Sequence, residues 1–181
     1  ATDTLDGVVS VTTSGTVDVS TVGSYTLTYS ATDAAGNTAT ATRTVTVVDK
    51  TVPSITIVNT AVTHEAATIY SDEVPTATDT LDGVVSVTTS GTVDVSTVGS
   101  YTLTYSVSDA AGNTATTART VTVVDRTAPS ITIVNTAVTH EAATIYSDAA
   151  PTATDTLDGV VSVTTSGTVD VSTVGSYTLT Y

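Results

Sequence analysis

GSYTLTYSVSDAAGNTATTARTVTVVD, residues Gly99 to Asp125, decides the fold. Tyr101, Leu103, Tyr105 and Val107 alternate with Thr102, Thr104, Ser106 and Ser108, the period-two pattern of a strand with one buried and one wet face. AspAlaAlaGlyAsn (Asp109 to Asn113) is a tight turn, and beyond it Val121 and Val123 continue the inward row while Thr120 and Thr122 point outward. Two long strands joined in this way are a hairpin that needs a second sheet to cover its apolar face. Arg119 shares parity with Val121 and Val123, so its stem is expected to pack and its head to escape toward the end of the sandwich.

Working outward, the stretch belongs to a repeat. ATDTLDGVVSV begins at Ala1, Ala77 and Ala153, a period of 76 residues, and the copies differ only in small, mostly conservative swaps such as Ala31 for Val107 and Glu73 for Ala149. A unit of that size holds a small sandwich core and is expected to fold nearly independently. Phased at the LysThrValPro and ArgThrAlaPro junctions, where Pro53 and Pro129 separate one ladder from the next, the chain divides into three. Residues 1–49 are the C-terminal part of a module, 50–125 a complete module, and 126–181 the N-terminal part of another. Both ends fall inside a module and no Met is present, so the chain reads as an internal window of a longer protein.

Within residues 50–125 the pattern predicts strands at Ser54–Val58, within Val62–Tyr70 (one or two short ones), at Val84–Thr88, at Thr92–Ser96 and in the long hairpin. Turns fall at Ser71–Pro75, Asp79–Gly83 and Ser90–Gly91. About seven short strands, turn signals every 8 to 12 residues and no helical spacing make the fold all-β: tandem immunoglobulin-like β-sandwiches in an extended array. Tyr101, just inside a strand after a glycine, suits either a tyrosine corner, its hydroxyl bonded to nearby backbone, or a plain core aromatic.

Composition narrows the function. Thr and Ser make up roughly a third of the chain, yet 40% of residues are hydrophobic, which excludes ordinary disorder. A net charge of −14 with four basic residues argues against nucleic acid and anionic lipid as partners. There is no cysteine, hence no disulfide, thiolate ligand or thiol nucleophile, and no apolar run long enough to insert in a membrane.

The motifs ThrAlaThrAspThrLeuAspGly (Thr76–Gly83), GlySerTyrThrLeuThrTyr (Gly99–Tyr105), AspAlaAlaGlyAsn (Asp109–Asn113) and ArgThrValThrValValAsp followed by ThrAlaPro together resemble the bacterial immunoglobulin-like repeats found in tandem in large adhesins and in surface-layer and biofilm proteins. The likeness covers the whole chain in order. It implies an extracellular, cell-surface rod that holds a terminal binding domain away from the cell, often with calcium at the junctions. The near identity of neighbouring copies departs from a set of specialised modules and is closer to a homogenised stalk.

In that topology the incoming linker, the loop after the second main strand and the final hairpin turn meet at one end. The acidic residues brought there are Asp49, Asp79, Asp82, Asp109 and Asn113. The set repeats as Asp125, Asp155 and Asp158, and the first copy offers Asp3, Asp6, Asp33 and Asn37. Hard oxygen donors in this number suit Ca²⁺, which takes six to eight oxygens. AspAlaAlaGlyAsn and AspGly are equally good turn chemistry without an ion. Both readings stand at this stage.

Other chemistry is sparse. His64 and Glu65 fall on opposite strand faces, and HisGluAlaAlaThr lacks the second His of a zinc protease motif, so a solvated pair is expected. No serine elbow or phosphate loop is present, and the protein is not expected to be an enzyme. Three function classes follow. The first is a structural stalk or filament whose partners are the neighbouring modules of the same chain. The second is an adhesive module binding glycan or another surface ligand directly, for which the threonine ranks of Thr38–Thr46 are a candidate but no aromatic platform is visible. The third is lateral self-association into a sheath, surface layer or filament.

Overall fold

The structure, a computed structural model, describes all residues from Ala1 to Tyr181. It contains no helix, and its strands in chain order are β1 (Thr2–Asp3), β2 (Gly7–Val8), β3 (Val11–Ser14), β4 (Gly23–Thr32), β5 (Thr38–Val47), β6 (Ser54–Thr56), β7 (Ala61–Glu65), β8 (Thr76–Asp79), β9 (Gly83–Val85), β10 (Val87–Ser90), β11 (Gly99–Ser108), β12 (Thr114–Val124), β13 (Ser130–Thr132), β14 (Thr152–Asp155) and β15 (Gly159–Val161). They form five sheets with orders β1-β2, β3-β4-β5, β6-β8-β9, β10-β11-β12-β7 and β13-β14-β15. None closes into a barrel, and the architecture is that of immunoglobulin-like sandwiches. Residues 50–125 supply seven strands, divided between a sheet of three and a sheet of four.

Two compact units divide the chain. The first comprises Ala1–Val58, Val74–Thr89 and Tyr105–Thr117. In it β4 and β5 pair antiparallel from Gly23↔Val47 to Thr32↔Thr38, and β8 pairs with both β6 and β9. Its buried apolar residues are Ala77, Tyr105 and Val107, with Tyr105 fully enclosed. The second unit comprises Asn59–Glu73, Ser90–Thr104 and Ala118–Tyr181. There β12 pairs with β7 in parallel, Thr120↔Ala61 through Val124↔Glu65, and Leu103, Val121 and Val123 are buried. The alternation read from the hairpin is thus the alternation of burial.

Three expectations change on contact with the structure, and two others are made specific. Val84–Thr88 is not one strand: it breaks at Ser86 into β9 and β10, which lie in different sheets, because a sandwich must pass the chain from one layer to the other. Thr92–Ser96 is not a strand, because the Asp94 carboxylate accepts bonds from the Ser96 N–H (2.9 Å), the Ser96 hydroxyl (2.6 Å) and the Thr97 hydroxyl (3.0 Å), which wrap the backbone into a turn. Within Val62–Tyr70 only the first part is extended. Ala67 lies at φ 55°, its N–H bonds the Val95 carbonyl, and the Thr68 hydroxyl bonds the Glu65 carbonyl. Tyr101 bonds the Thr97 carbonyl through its hydroxyl (2.8 Å), as a tyrosine corner does, though its ring is only half-buried.

Arg119 is the third expectation to change. Its head does not escape: the residue is 2% exposed, and its guanidinium bonds the Asp72 carboxylate, the Asn59 carbonyl and the Glu73 carbonyl. A buried cation survives only where its donors are matched, and Asp72 and two carbonyls match them here. At Gly91, as at Gly15 and Gly167 in the other copies, the turn requires glycine twice over. Gly91 has a φ of +97°, and a Cβ there would lie 2.4 Å from the Thr102 carbonyl oxygen.

Arg43 occupies the position of Arg119 in the first copy but is exposed and rests over the Tyr29 ring, 5.6 Å from its centroid. Arg119→Ala strands Asp72 and two carbonyls and is expected to cost about 3–5 kcal/mol in a urea melt, whereas Arg43→Ala stays within about 0.5 kcal/mol of the parent.

Candidate metal centre

The site begins with ThrAspThrLeuAspGly. Asp79 ends β8, and its Oδ1 accepts the N–H groups of Leu81 (2.7 Å) and Asp82 (3.2 Å), an Asx turn that reverses the chain into β9 through Gly83 at φ +73°. That uses one oxygen only. The other, Oδ2, is buried without a partner in a residue 7% exposed. A buried carboxylate oxygen with nothing to accept from is costly, so its surroundings want a cation or a donor there.

Two further loops reach the same place. Asp82 Oδ2 accepts the Ala110 N–H at 2.7 Å, which ties the hairpin turn to this loop. Asp49 in the linker accepts the Thr51 N–H at Oδ1 (2.9 Å), and its Oδ2 is buried and unpartnered. Asp49, Asp79 and Asp82 each present a carboxylate oxygen within 4.8 Å of the others. No Lys or Arg bridges them, so three like charges face one another across a small space.

The arrangement recurs one period later. Asp125, Asp155 and Asp158 form a second group of the same dimensions, with Asp125 Oδ1 on the Thr127 N–H, Asp155 Oδ1 on Leu157 and Asp158, and Asp155 Oδ2 again unpartnered. In the first copy Asp3 makes the same turn with Leu5 and Asp6, and Asp6 accepts the Ala34 N–H at 2.9 Å, but no linker aspartate joins them and no group of three forms.

Asp109 and Asn113 lie at this end but belong to the turn. The Asp109 carboxylate accepts both the backbone N–H and the side-chain amide of Asn113, each at 2.7 Å, and Asp33 and Asn37 repeat the pattern at 2.7 Å. Both carboxylate oxygens of each aspartate are thereby occupied. Of the twelve residues singled out from sequence, six are gathered into two clusters, Asp3 and Asp6 form an incomplete one, and four close hairpin turns.

The turn bonds also set the charge. The Leu81 N–H first, and Asp82 after it, hold the Asp79 carboxyl below the usual carboxylate range, and burial, which acts the other way, is outweighed. Asp155 is lowered in the same way, chiefly by the Asp158 N–H, and Asp3 chiefly by the Leu5 N–H. These carboxylates are therefore ionised at neutral pH and suited to a hard cation.

Sequence reasoning missed the linker clamp beside the second cluster. Glu65 Oε1 accepts the Arg126 N–H (2.8 Å) and the Thr127 hydroxyl (2.9 Å), bonds between residues more than sixty positions apart that no local pattern announces. His64 likewise is not simply solvated: its Nε2 is 3.0 Å from the Thr68 hydroxyl and its ring meets Tyr70 edge-on.

A family model described as "Bacterial surface protein, Ig-like domain" matches residues 1–47 and 59–123. No curated protein matches the chain. Among solved structures, the chain is similar to the M60 catalytic domain with the CBM51-1 and CBM51-2 domains from Clostridium perfringens ZmpB, at 15% identity and a TM-score of 0.38. The match covers 69% of this chain and spans 30% of that one.

The Asx turns predict a specific acid response. Asp18, Asp94 and Asp170 are lowered from the ordinary value of 3.8, first by the Ser20, Ser96 and Ser172 hydroxyls. Because the folded-state value lies below the unfolded one, their stabilisation is fully present above about pH 4 and is lost as pH falls through the lowered values. In melting curves taken from pH 7 to pH 2.5, Asp94→Ala is expected to lower the midpoint at pH 7 and to flatten the acid-side decline.

Proposed function

This chain belongs to the family of bacterial surface protein Ig-like domains, and on that premise we propose that its modules are serial structural units of an extracellular stalk, stiffened by calcium where one module meets the next. The family is that of a surface module, non-catalytic in general, and points to a cell-surface or extracellular location. No helix of the chain is long and apolar enough to cross a membrane.

One observation carries the calcium reading. Each cluster joins a linker aspartate, Asp49 or Asp125, to a loop aspartate, Asp79 or Asp155, whose second oxygen is buried and unpartnered. Asp82 and Asp158 complete the sets. Carboxylates in this number, with the Asp49, Asp79 and Asp155 Oδ2 atoms buried and without a donor, fit a hard oxygen-seeking cation; waters and backbone carbonyls would fill the remaining positions. The ion would cancel the repulsion among the three carboxylates. Holding the linker to the loop is the work of these residues: Asp49 and Asp125 fix the chain where it enters a module, and Asp79 and Asp155 fix the loop it meets. A junction so tied bends less, which is what a stalk needs. On this reading the modules are residues 50–125 and its partial neighbours, with junctions at Asp49–Pro53 and Asp125–Pro129.

Calcium is expected to raise the melting midpoint of the 181-residue chain and EGTA to lower it. An ion at one hundred times its dissociation constant adds about 2.7 kcal/mol per site by mass action. Asp79→Asn with Asp155→Asn removes the response while leaving the Asx turns in place. A curve indifferent to chelation in the parent returns the loops to turn chemistry alone.

Small-angle scattering tests the stalk independently. Strands of about eight residues at about 3.3 Å each, with their end loops, give about 35 to 45 Å per module. The longest dimension is expected to scale with the number of modules and to grow more uniform with calcium. A compact globule of stacked modules would overturn the reading.

A further inference from the structure

We propose that Glu65 is the positioning residue of the second junction: its carboxylate holds the linker Asp125–Thr127 on the preceding module, with or without an ion, and so presents Asp125 to the cation already oriented. The proposal rests on the junctional-calcium reading and adds to it the group that sets how tightly that junction binds.

Glu65 stands on a fixed base. It is the last residue of β7 and pairs in parallel with Val124, the last residue of β12. Because the strands are parallel, both chains leave that rung in the same direction, and the Glu65 side chain has only the width between two strands, about 4.8 Å, to cross before it meets the outgoing linker. Its own backbone does not follow the linker. The Ala66 N–H bonds the Val124 carbonyl (2.7 Å), the Thr68 hydroxyl bonds the Glu65 carbonyl (2.7 Å), and Ala67 turns the chain at φ 55°.

What Glu65 grips lies next to a candidate ligand. Its Oε1 accepts both the Arg126 N–H (2.8 Å) and the Thr127 hydroxyl (2.9 Å), and the Thr127 N–H donates to Asp125 Oδ1 (3.1 Å). The connection thus runs from a strand end through Thr127 to Asp125. Glu65 itself stands outside the group, whose three members are Asp125, Asp155 and Asp158. The Arg126 N–H first, and the Thr127 hydroxyl after it, hold the Glu65 carboxyl below the usual carboxylate range, so it is an ionised acceptor at neutral pH.

A free linker has to be ordered when the ion binds, and that ordering subtracts from affinity; a linker ordered on folding avoids the loss. Groups that orient a metal ligand without touching the metal change affinity by about 10- to 100-fold. Chelation then frees the chain only beyond Thr127, while Asp125–Thr127 stays with residues 50–125.

Calorimetric titration of calcium into the 181-residue chain, with each group isolated in turn, tests the proposal. Asp79→Asn leaves the group of Asp125, Asp155 and Asp158 to report alone. Asp155→Asn leaves the group of Asp49, Asp79 and Asp82, which contains no residue that Glu65 bonds and is the internal control. Glu65→Ala is expected to raise the Kd of the second group about tenfold and to leave the first unchanged. Glu65→Gln keeps an acceptor oxygen without the charge and is expected to restore most of the affinity; a loss as large as that of alanine assigns the effect to charge and overturns the proposal. Amide exchange in EGTA reads the clamp with no ion present, slow at Arg126 in the parent and fast in Glu65→Ala, and melting curves in EGTA control for folding. Unchanged affinity in Glu65→Ala, or fast exchange at Arg126 in the parent, overturns the proposal and leaves the calcium reading standing. A parent that binds no calcium at either group overturns that reading and the positioning role with it.

Discussion

The parallel pairing of Thr120–Val124 with Ala61–Glu65 is the constraint on which the complete copy depends. It is long-range in sequence, so the cost of closing the chain must be met before any of its hydrogen bonds form. Once made, it holds Val121 and Val123 in full burial and brings the Arg119 head within reach of Asp72 and the carbonyls of Asn59 and Glu73. The pairing and the buried ion pair support each other. A strand beside β12 gives the cation somewhere to go, and the satisfied cation fixes the segment from Asn59 to Glu73 against the strand.

The aspartates show how one residue type is divided among tasks by the count of its oxygens. A carboxylate offers two oxygens and about four lone-pair positions. Asp109 spends both oxygens on Asn113, and Asp94 spends both on Ser96 and Thr97, so these carboxylates build turns. Asp79 spends one on the backbone of its own loop and keeps the other buried and unpaired. The turn reading and the cation reading therefore do not compete at Asp79, because the turn bonds that hold the loop also keep the carboxyl ionised and aim its free oxygen. The linker aspartates Asp49 and Asp125 complete the logic by bringing charge from outside the loop.

Much of this was legible in the sequence. Period-two alternation from Tyr101 to Val107 and at Val121 and Val123 named the buried row, because side-chain direction in a strand is a local property. The 76-residue period and the AspGly and AspAlaAlaGlyAsn turns are likewise local. So were the residues of the acidic end, and their convergence followed from the topology the family resemblance implied. Not legible were the division of Val84–Thr88 between two sheets, the linker clamp at Glu65 and the inward head of Arg119, each of which depends on a partner far along the chain.

Val84–Thr88 states the division most plainly, since one apolar run is split between β9 and β10 in different sheets. Arg119 sits in the inward row with Val121 and Val123, and its charge is buried against Asp72 and two carbonyls from a distant segment. By itself the sequence determined which residues favour an extended backbone, which face of each strand is apolar, and where the chain turns, because those properties are settled within a few bonds. Only the tertiary structure decided which extended segments become strands and which charges become buried, because a strand needs a neighbour for its hydrogen bonds and a buried charge needs a counter-charge, and both come from elsewhere in the chain.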